Sequence, residues 1–198
     1  MRSLFSGVST WSWFSEEKGI YFNGHRVIQG NAQVLIDPPP LSDEDQETLL
    51  DRGISDIILT NRDHIREAKA YKNLFGAAIW APKVDAPAMT AIPIDHTYQD
   101  GDILPADIRI VSILHSKSFG ESALYLNEAC GIFILGDALI GKPDGALTLL
   151  PSDKIPNMAK AKEGLRRLLN FSFDAVLVGD GTSILQGARG LIEKFLKD

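Results

Sequence analysis

Ile57-Ile58-Leu59-Thr60-Asn61-Arg62-Asp63-His64-Ile65 is the stretch on which the reading of this chain turns. Ser55 to Leu59 is a short apolar run that reads as a buried strand. It leads into a polar loop whose last pair, Asp63-His64, sets a carboxylate beside an imidazole. Loops held by a rigid scaffold are where binding and catalytic groups concentrate. Each residue also has a plain reading. Asp63 can cap a helix over about residues 63–75, and His64 can lie on that helix's surface.

Working outward, the first third reads as β. Ser9 to Phe14, Ile20 to Asn23, Arg26 to Gln29 and Gln33 to Ile36 are short apolar or alternating runs, broken by Gly19, Gly24 and Gly30. Asp37-Pro38-Pro39-Pro40 stops the last of them. Ser42 then reads as the cap of an acidic-started helix to about Arg52, ended by Gly53. Beyond the quoted stretch, strands are expected over Ala77–Ala81, Ile108–Leu114, Ser122–Leu126, Ile132–Leu135 and Ala175–Val178. Helices are expected over Ile155–Leu169 and Ile184–Leu196, and an irregular segment over Pro82–Pro93. Two sheets face to face with helices outside accommodate this order.

The 198 residues fit one domain, 1–198, long enough to bury a core. The net charge of −6 argues against nucleic acid as a partner, which needs a basic surface. No apolar run is long enough to span a bilayer, and the N-terminus lacks the ordered parts of a signal peptide. One cysteine, Cys130, excludes an internal disulfide; its apolar neighbours predict burial, and a cytoplasmic, reducing setting is expected. Trp11 and Trp13 alternate on one strand face and read as core; Trp80 reads as core or pocket wall. His25 and His96, without motif context, are expected to be exposed. Thr182 or Ser183 is expected to cap the last helix.

Five pieces in order resemble the metallo-β-lactamase superfamily, over roughly residues 20–198. The quoted stretch is similar to the family's apolar strand leading into Thr-His-x-His-x-Asp-His-Ile, but it lacks the His-x-His half and is two residues shorter. Asn31 through Asp37 resembles an early Asn-x-x-Leu-Ile-Asp strand, and Asp100-Gly101-Asp102 the turn before a later strand. His115 to Ser122 is similar to Pro-Gly-His-x-Pro-Gly-Ser. Gly136-Asp137 matches Gly-Asp, and Gly179-Asp180-Gly181 resembles Gly-His-Gly. The resemblance implies an α+β fold, a four-layer αββα sandwich, with its site at one edge on the loops after Leu59, Leu114, Leu135 and Val178.

In that family one metal is held by His-x-His and the third-motif His, and a second by the Asp-His pair, a last His and a bridging Asp. Carried over, the first site is lost. Asn61 is the only residue left for the His-x-His positions, and Lys117 stands at the third-motif His. An ammonium has three donors and no acceptor, so it cannot ligate a cation. The second site keeps Asp63, His64 and Asp137, with Asp180 in place of His.

Two readings follow. In one, Asp63, His64, Asp137 and Asp180 hold a single divalent ion. This donor set suits Mn²⁺, Fe²⁺ or Mg²⁺ at least as well as Zn²⁺. The chain is then a metal-dependent hydrolase, with Lys117 meeting an anionic small-molecule substrate or an oxyanion and Asp63 or Asp180 orienting the nucleophile. In the other, the Lys117 ammonium replaces the missing cation, and the cluster is a structural ion network in a metal-free pseudo-hydrolase that binds a ligand or regulates. Without the family fold, Asp137 and Asp180 read as turn and loop residues and Lys117 as a solvated charge. A one-step slip in register would make His115 a ligand.

Overall fold

The computed structural model describes residues 1–50, 53–128 and 130–197 and builds two sheets from them. Strands β1 (Arg2–Phe5), β2 (Val8–Ser15), β3 (Ile20–Gln29), β4 (Ala32–Ile36), β5 (Asp56–Ile58), β6 (Ala78–Pro82) and β7 (His96–Tyr98) lie side by side in that order. Strands β8 (Ile103–Leu104), β9 (Ile108–Ser112), β10 (Ser122–Leu126), β11 (Ile132–Leu135) and β12 (Ala175–Val178) form the other sheet, ordered β12-β11-β10-β9-β8. Helices α1 (Asp43–Leu50) and α2 (Ala68–Phe75) serve the first sheet, and α3 (Met158–Leu165) and α4 (Ala188–Phe195) the second.

The layering follows from the two-residue period of a strand. Val34 and Ile36 of β4 face one way and Leu35 the other; Ile58 of β5 opposes Ile57. In the second sheet Leu124, Ile132, Ile134 and Leu177 point toward the first sheet. Tyr125, Phe133, Leu135 and Val176 point toward the helices with Leu165 and Ile192. Strands apolar on both faces need cover on both faces, and that requirement gives the αββα sandwich.

Most expected strands form within a residue or two of their expected bounds, and three differences have a physical cause. β3 runs unbroken through Gly24, because a Cβ there would stand 2.3 Å from Trp11 and 2.6 Å from Pro39. That glycine is a packing site, not a break. The helix expected from Asp63 begins only at Ala68, since Arg66 adopts φ 43° and turns the chain out of helical register. The helix expected from Ile184 begins at Ala188, because Ile184 instead pairs across Val176. Thr182 and Ser183 therefore cap no helix: Thr182 donates to Asp144, and Ser183 Oγ accepts from Val178 N.

Ser42 Oγ does accept from Asp45 N at 3.2 Å, as a cap should. The last turn expected for that helix, Asp51 and Arg52, lies outside the described residues. β1, β7 and β8 add to the expected strands. His25 is fully buried, against expectation, with Nε2 3.3 Å from Val178 O. His96 is exposed, stacked on Trp80. Trp11 is core, whereas Trp13 on the same face is 42% exposed, lying toward the end of the hairpin. Cys130 is exposed, in the turn that precedes β11. No helix of the described residues is long and apolar enough to cross a membrane.

Gly24→Val tests the packing argument. It is expected to lower stability by about 2–3 kcal/mol through overpacking, read as a lower urea midpoint at unchanged m-value; a loss under about 0.5 kcal/mol would contradict it.

Candidate functional site

β4 and β5 are parallel neighbours, with Ile36 opposite Ile58, so the residues that follow them leave the sheet side by side. Asp37 follows β4 with φ 45° and is buried. Its carboxylate accepts from Thr60 N at 2.8 Å and Thr60 Oγ1 at 2.5 Å, and lies 2.8 Å from His64 Nδ1. The other imidazole nitrogen, Nε2, lies 3.5 Å from Asp137 Oδ1, at the end of β11. Asp137 Oδ2 accepts from Lys117 Nζ at 2.9 Å, and Nζ is 3.1 Å from Asp63 Oδ2. Asp180 follows β12, which is parallel to β11, and pairs with Arg66 at 2.7 Å.

Arg66 is the residue with no sequence signal. Its left-handed backbone sends the guanidinium inward, where it donates to Asn23 O (2.7 Å), Asp37 O (3.0 Å) and Gly179 O (3.0 Å) besides Asp180, and sits 4.8 Å over the Phe22 ring. One side chain thus ties together the loops after β4, β5 and β12 and the strand β3.

The charges nearly balance. Four carboxylates, Asp37, Asp63, Asp137 and Asp180, meet His64, Lys117 and Arg66. Burial and the nearby Arg66 oppose protonation of His64, but Asp37 and Asp137 outweigh them and push it up to about 10. Burial would raise Asp137, yet His64 and Lys117 hold its carboxyl well below the usual range. Lys117 is raised despite partial burial, by Asp137 first and Asp63 second. Asp180 stays above its ordinary value because burial exceeds the help of His64 and Arg66.

Of the four expected ligands, His64, Asp137 and Asp180 bring ligand atoms within 4.8 Å of one another. Asp63 does not join that group; its carboxylate rests on Lys117. The three donors fit one divalent ion. Asp37 holds His64 by Nδ1 and leaves Nε2 facing inward, the orientation a ligating imidazole usually has. Asp137 gives one oxygen to Lys117 and turns the other toward His64; Arg66 takes Oδ1 of Asp180 and leaves a second oxygen. Two carboxylates and an imidazole suit a divalent ion of intermediate hardness.

A second ion does not fit. Asn61 is fully buried and spent: Nδ2 donates to Glu121 Oε2 at 2.9 Å, and Oδ1 accepts from Asp63 N at 2.8 Å. Glu121, also fully buried, accepts from Ala138 N, and burial next to Asp137 raises its carboxyl far above the ordinary value. Gly136 gives this packing its room, since a Cβ there would stand 2.2 Å from Thr60 Oγ1. His115 is exposed on the outer side of its loop and joins none of these contacts. Asp37, Arg66 and Glu121 are site residues that the sequence motifs do not single out. Asp37 ends the Asn31–Asp37 stretch, and a charge placed directly before the buried strand β10 is the available signal for Glu121.

The sandwich and its loop-borne cluster define a class, and comparison with known proteins agrees. A family model for the metallo-β-lactamase superfamily matches residues 1–197. The chain belongs to that superfamily. A metallo-β-lactamase from Pontibacter korlensis superposes with TM-score 0.76 at 15% identity, covering 98% of this chain and 95% of that one. One from Hirschia baltica gives 0.70 at 17%, covering 96% and 95%. The FIM-1 enzyme of Pseudomonas aeruginosa in its mono-zinc form gives 0.68 at 15%, covering 100% and 96%. Likeness at such low identity establishes the fold alone. No curated protein matches the chain in sequence.

Proposed function

We propose that this protein is a divergent hydrolase that uses one divalent ion, Zn²⁺, Mn²⁺ or Fe²⁺, held by His64, Asp137 and Asp180, with Lys117 fixed where the superfamily has its other ion. The supporting observation is the split of Asp137: Oδ2 on the Lys117 ammonium, Oδ1 toward His64 Nε2. Asp137 holds the ammonium with one oxygen and would have the other free to hold an ion together with His64 and Asp180. An ion there would supply Lewis acidity toward water or a carbonyl or phosphoryl oxygen.

The chain's own residues do the rest. Asp37, itself held by Thr60, fixes the His64 ring through Nδ1. Asp63 and Asp137 hold the Lys117 ammonium, which is 31% exposed on its side chain and can meet an anionic substrate or a developing oxyanion. Asp63 acts by positioning Lys117. The substrate is an ester, thioester, amide or phosphodiester; β-lactams are disfavoured because the first ion is replaced. A reducing, cytoplasmic setting belongs to the same reading.

Elemental analysis of untagged protein, purified without chelator, tests it. About one metal per chain is expected, lost in Asp137→Ala while circular dichroism stays native. No metal after soaking in Mn²⁺ and Zn²⁺ would overturn the proposal. It would leave the metal-free ligand-binding or regulatory domain, a reading favoured by the Arg66–Asp180 pair and the near balance of internal charges.

A further inference from the structure

The 115–120 loop joins β9 to β10 and has two sides. Lys117 turns into the acidic cluster. On the other side His115, Ser116 and Phe119, with Pro156, Asn157 and Lys160 at the start of α3, line a cavity of about 290 Å³. That is near the lower end of the range for small-molecule sites, roughly 300–1,000 Å³.

Three features of this cavity stand out from the rest of the surface. Its apolar wall is unusually bare: Phe119 is 87% exposed, and Leu114 and Met158, which adjoin the lining residues His115 and Asn157 in the chain, are exposed as well. Its charged residues are basic, and among the described residues neither Lys160 nor His115 makes an ion pair. Its floor is rigid. Asp85, 1% exposed, accepts from Gly120 N at 3.0 Å and Arg62 N at 2.9 Å and also receives the Ser118 hydroxyl. The loop under Phe119 is thereby stapled to the loop that carries Asp63. A second cavity, at Gln29, Ala106, Asp107, Leu126, Asn127 and Glu128, has the opposite character, carrying two acids and no base.

We propose that the cavity between the 115–120 loop and the start of α3 binds a small organic anion with a flat apolar body. The body lies against Phe119 and Pro156, and the anionic group lies between Lys160 and His115. Charge complementarity decides the sign of the ligand, and the bare ring decides its apolar part. Naming this ligand as the substrate rests on the hydrolase reading; its binding does not.

Amide-proton NMR titration with 4-phenylbutyrate and its neutral isostere 4-phenylbutyramide separates these points. Saturable shifts at residues 115–120 and 157–160 are expected, with the carboxylate binding at least about five-fold tighter. Phe119→Ala should weaken both probes by a similar factor, and Lys160→Gln should erase the difference between them. Both residues are exposed, so neither change threatens folding. The same result is expected in EDTA, so failure of the metal proposal leaves this test intact. No saturable binding, equal affinity for the two probes, or shifts confined to other surfaces would overturn it.

Discussion

Arg66→Ala is expected to destabilise the protein by about 3–5 kcal/mol, the cost typical of removing one partner from a buried charged pair. The change deletes the bond to Asp180 and takes the guanidinium donor from the carbonyls of Asn23, Asp37 and Gly179, of which Gly179 O keeps only the Asn23 N–H. The side chain is only 8% exposed, so water does not readily take its place. Urea unfolding of the metal-free protein reads the loss. Arg66→Lys should recover less than half of it, because a point charge cannot donate to four acceptors along two directions as a planar guanidinium does. A loss below about 1 kcal/mol for Arg66→Ala would mean that the loops after β4, β5 and β12 hold together without it. The prediction also bears on function, because a cluster that splays apart would lose the Asp180 donor and metal content together.

Stability of the chelator-treated protein is expected to fall on both sides of neutrality, and the alkaline side is the more diagnostic. His64 titrates at about 10 in the folded protein against roughly 6.5 when free. A raised value means that the folded state holds its proton more tightly. The stabilisation is therefore complete below roughly pH 6.5 and is lost as pH climbs through 10. At about 1.4 kcal/mol per unit the loss is on the order of 5 kcal/mol, equivalent to roughly 10–20 °C in Tm for a chain of this size.

On the acid side, Asp37 and Asp137 are depressed by His64 and, for Asp137, by Lys117. Burial depresses His25 to about 4. Their contributions are present above their free values and disappear as pH falls through the folded ones. Asp37→Asn removes the charge that holds the His64 proton, so the alkaline fall should move toward neutrality. Differential scanning calorimetry from about pH 2 to 11 reads both limbs, and an unchanged alkaline limb in Asp37→Asn would refute the assignment. Because Nε2 cannot carry a proton and ligate an ion at once, saturating Zn²⁺ should flatten that limb.

The sequence by itself determined which runs are buried strands, while the four-layer arrangement was implied by the resemblance of its motifs. Runs such as Ile132–Leu135 and Ala175–Val178 are apolar at every position, and strands with no polar face must be covered on both sides. The order of strands, the Ser42 cap and the turn at Gly101 are local facts of spacing and φ, and local facts can be read along a chain. It also identified four residues, His64, Asp137, Asp180 and Lys117, that the fold does bring into one cluster, because each follows a strand end whose place in the sheet is fixed.

What only the tertiary structure decided is which charge meets which. Asp63 and His64 are adjacent in the chain, yet one rests on Lys117 and the other on Asp37 and Asp137. Arg66 reads as a helix residue until Asp180, 114 positions away, gives it a partner. Glu121 and Asn61 meet in a buried hydrogen bond across 60 residues. Pairing of charges depends on distance in space and on burial, neither of which is encoded in the local pattern of residue types, so no reading along the chain could have supplied it.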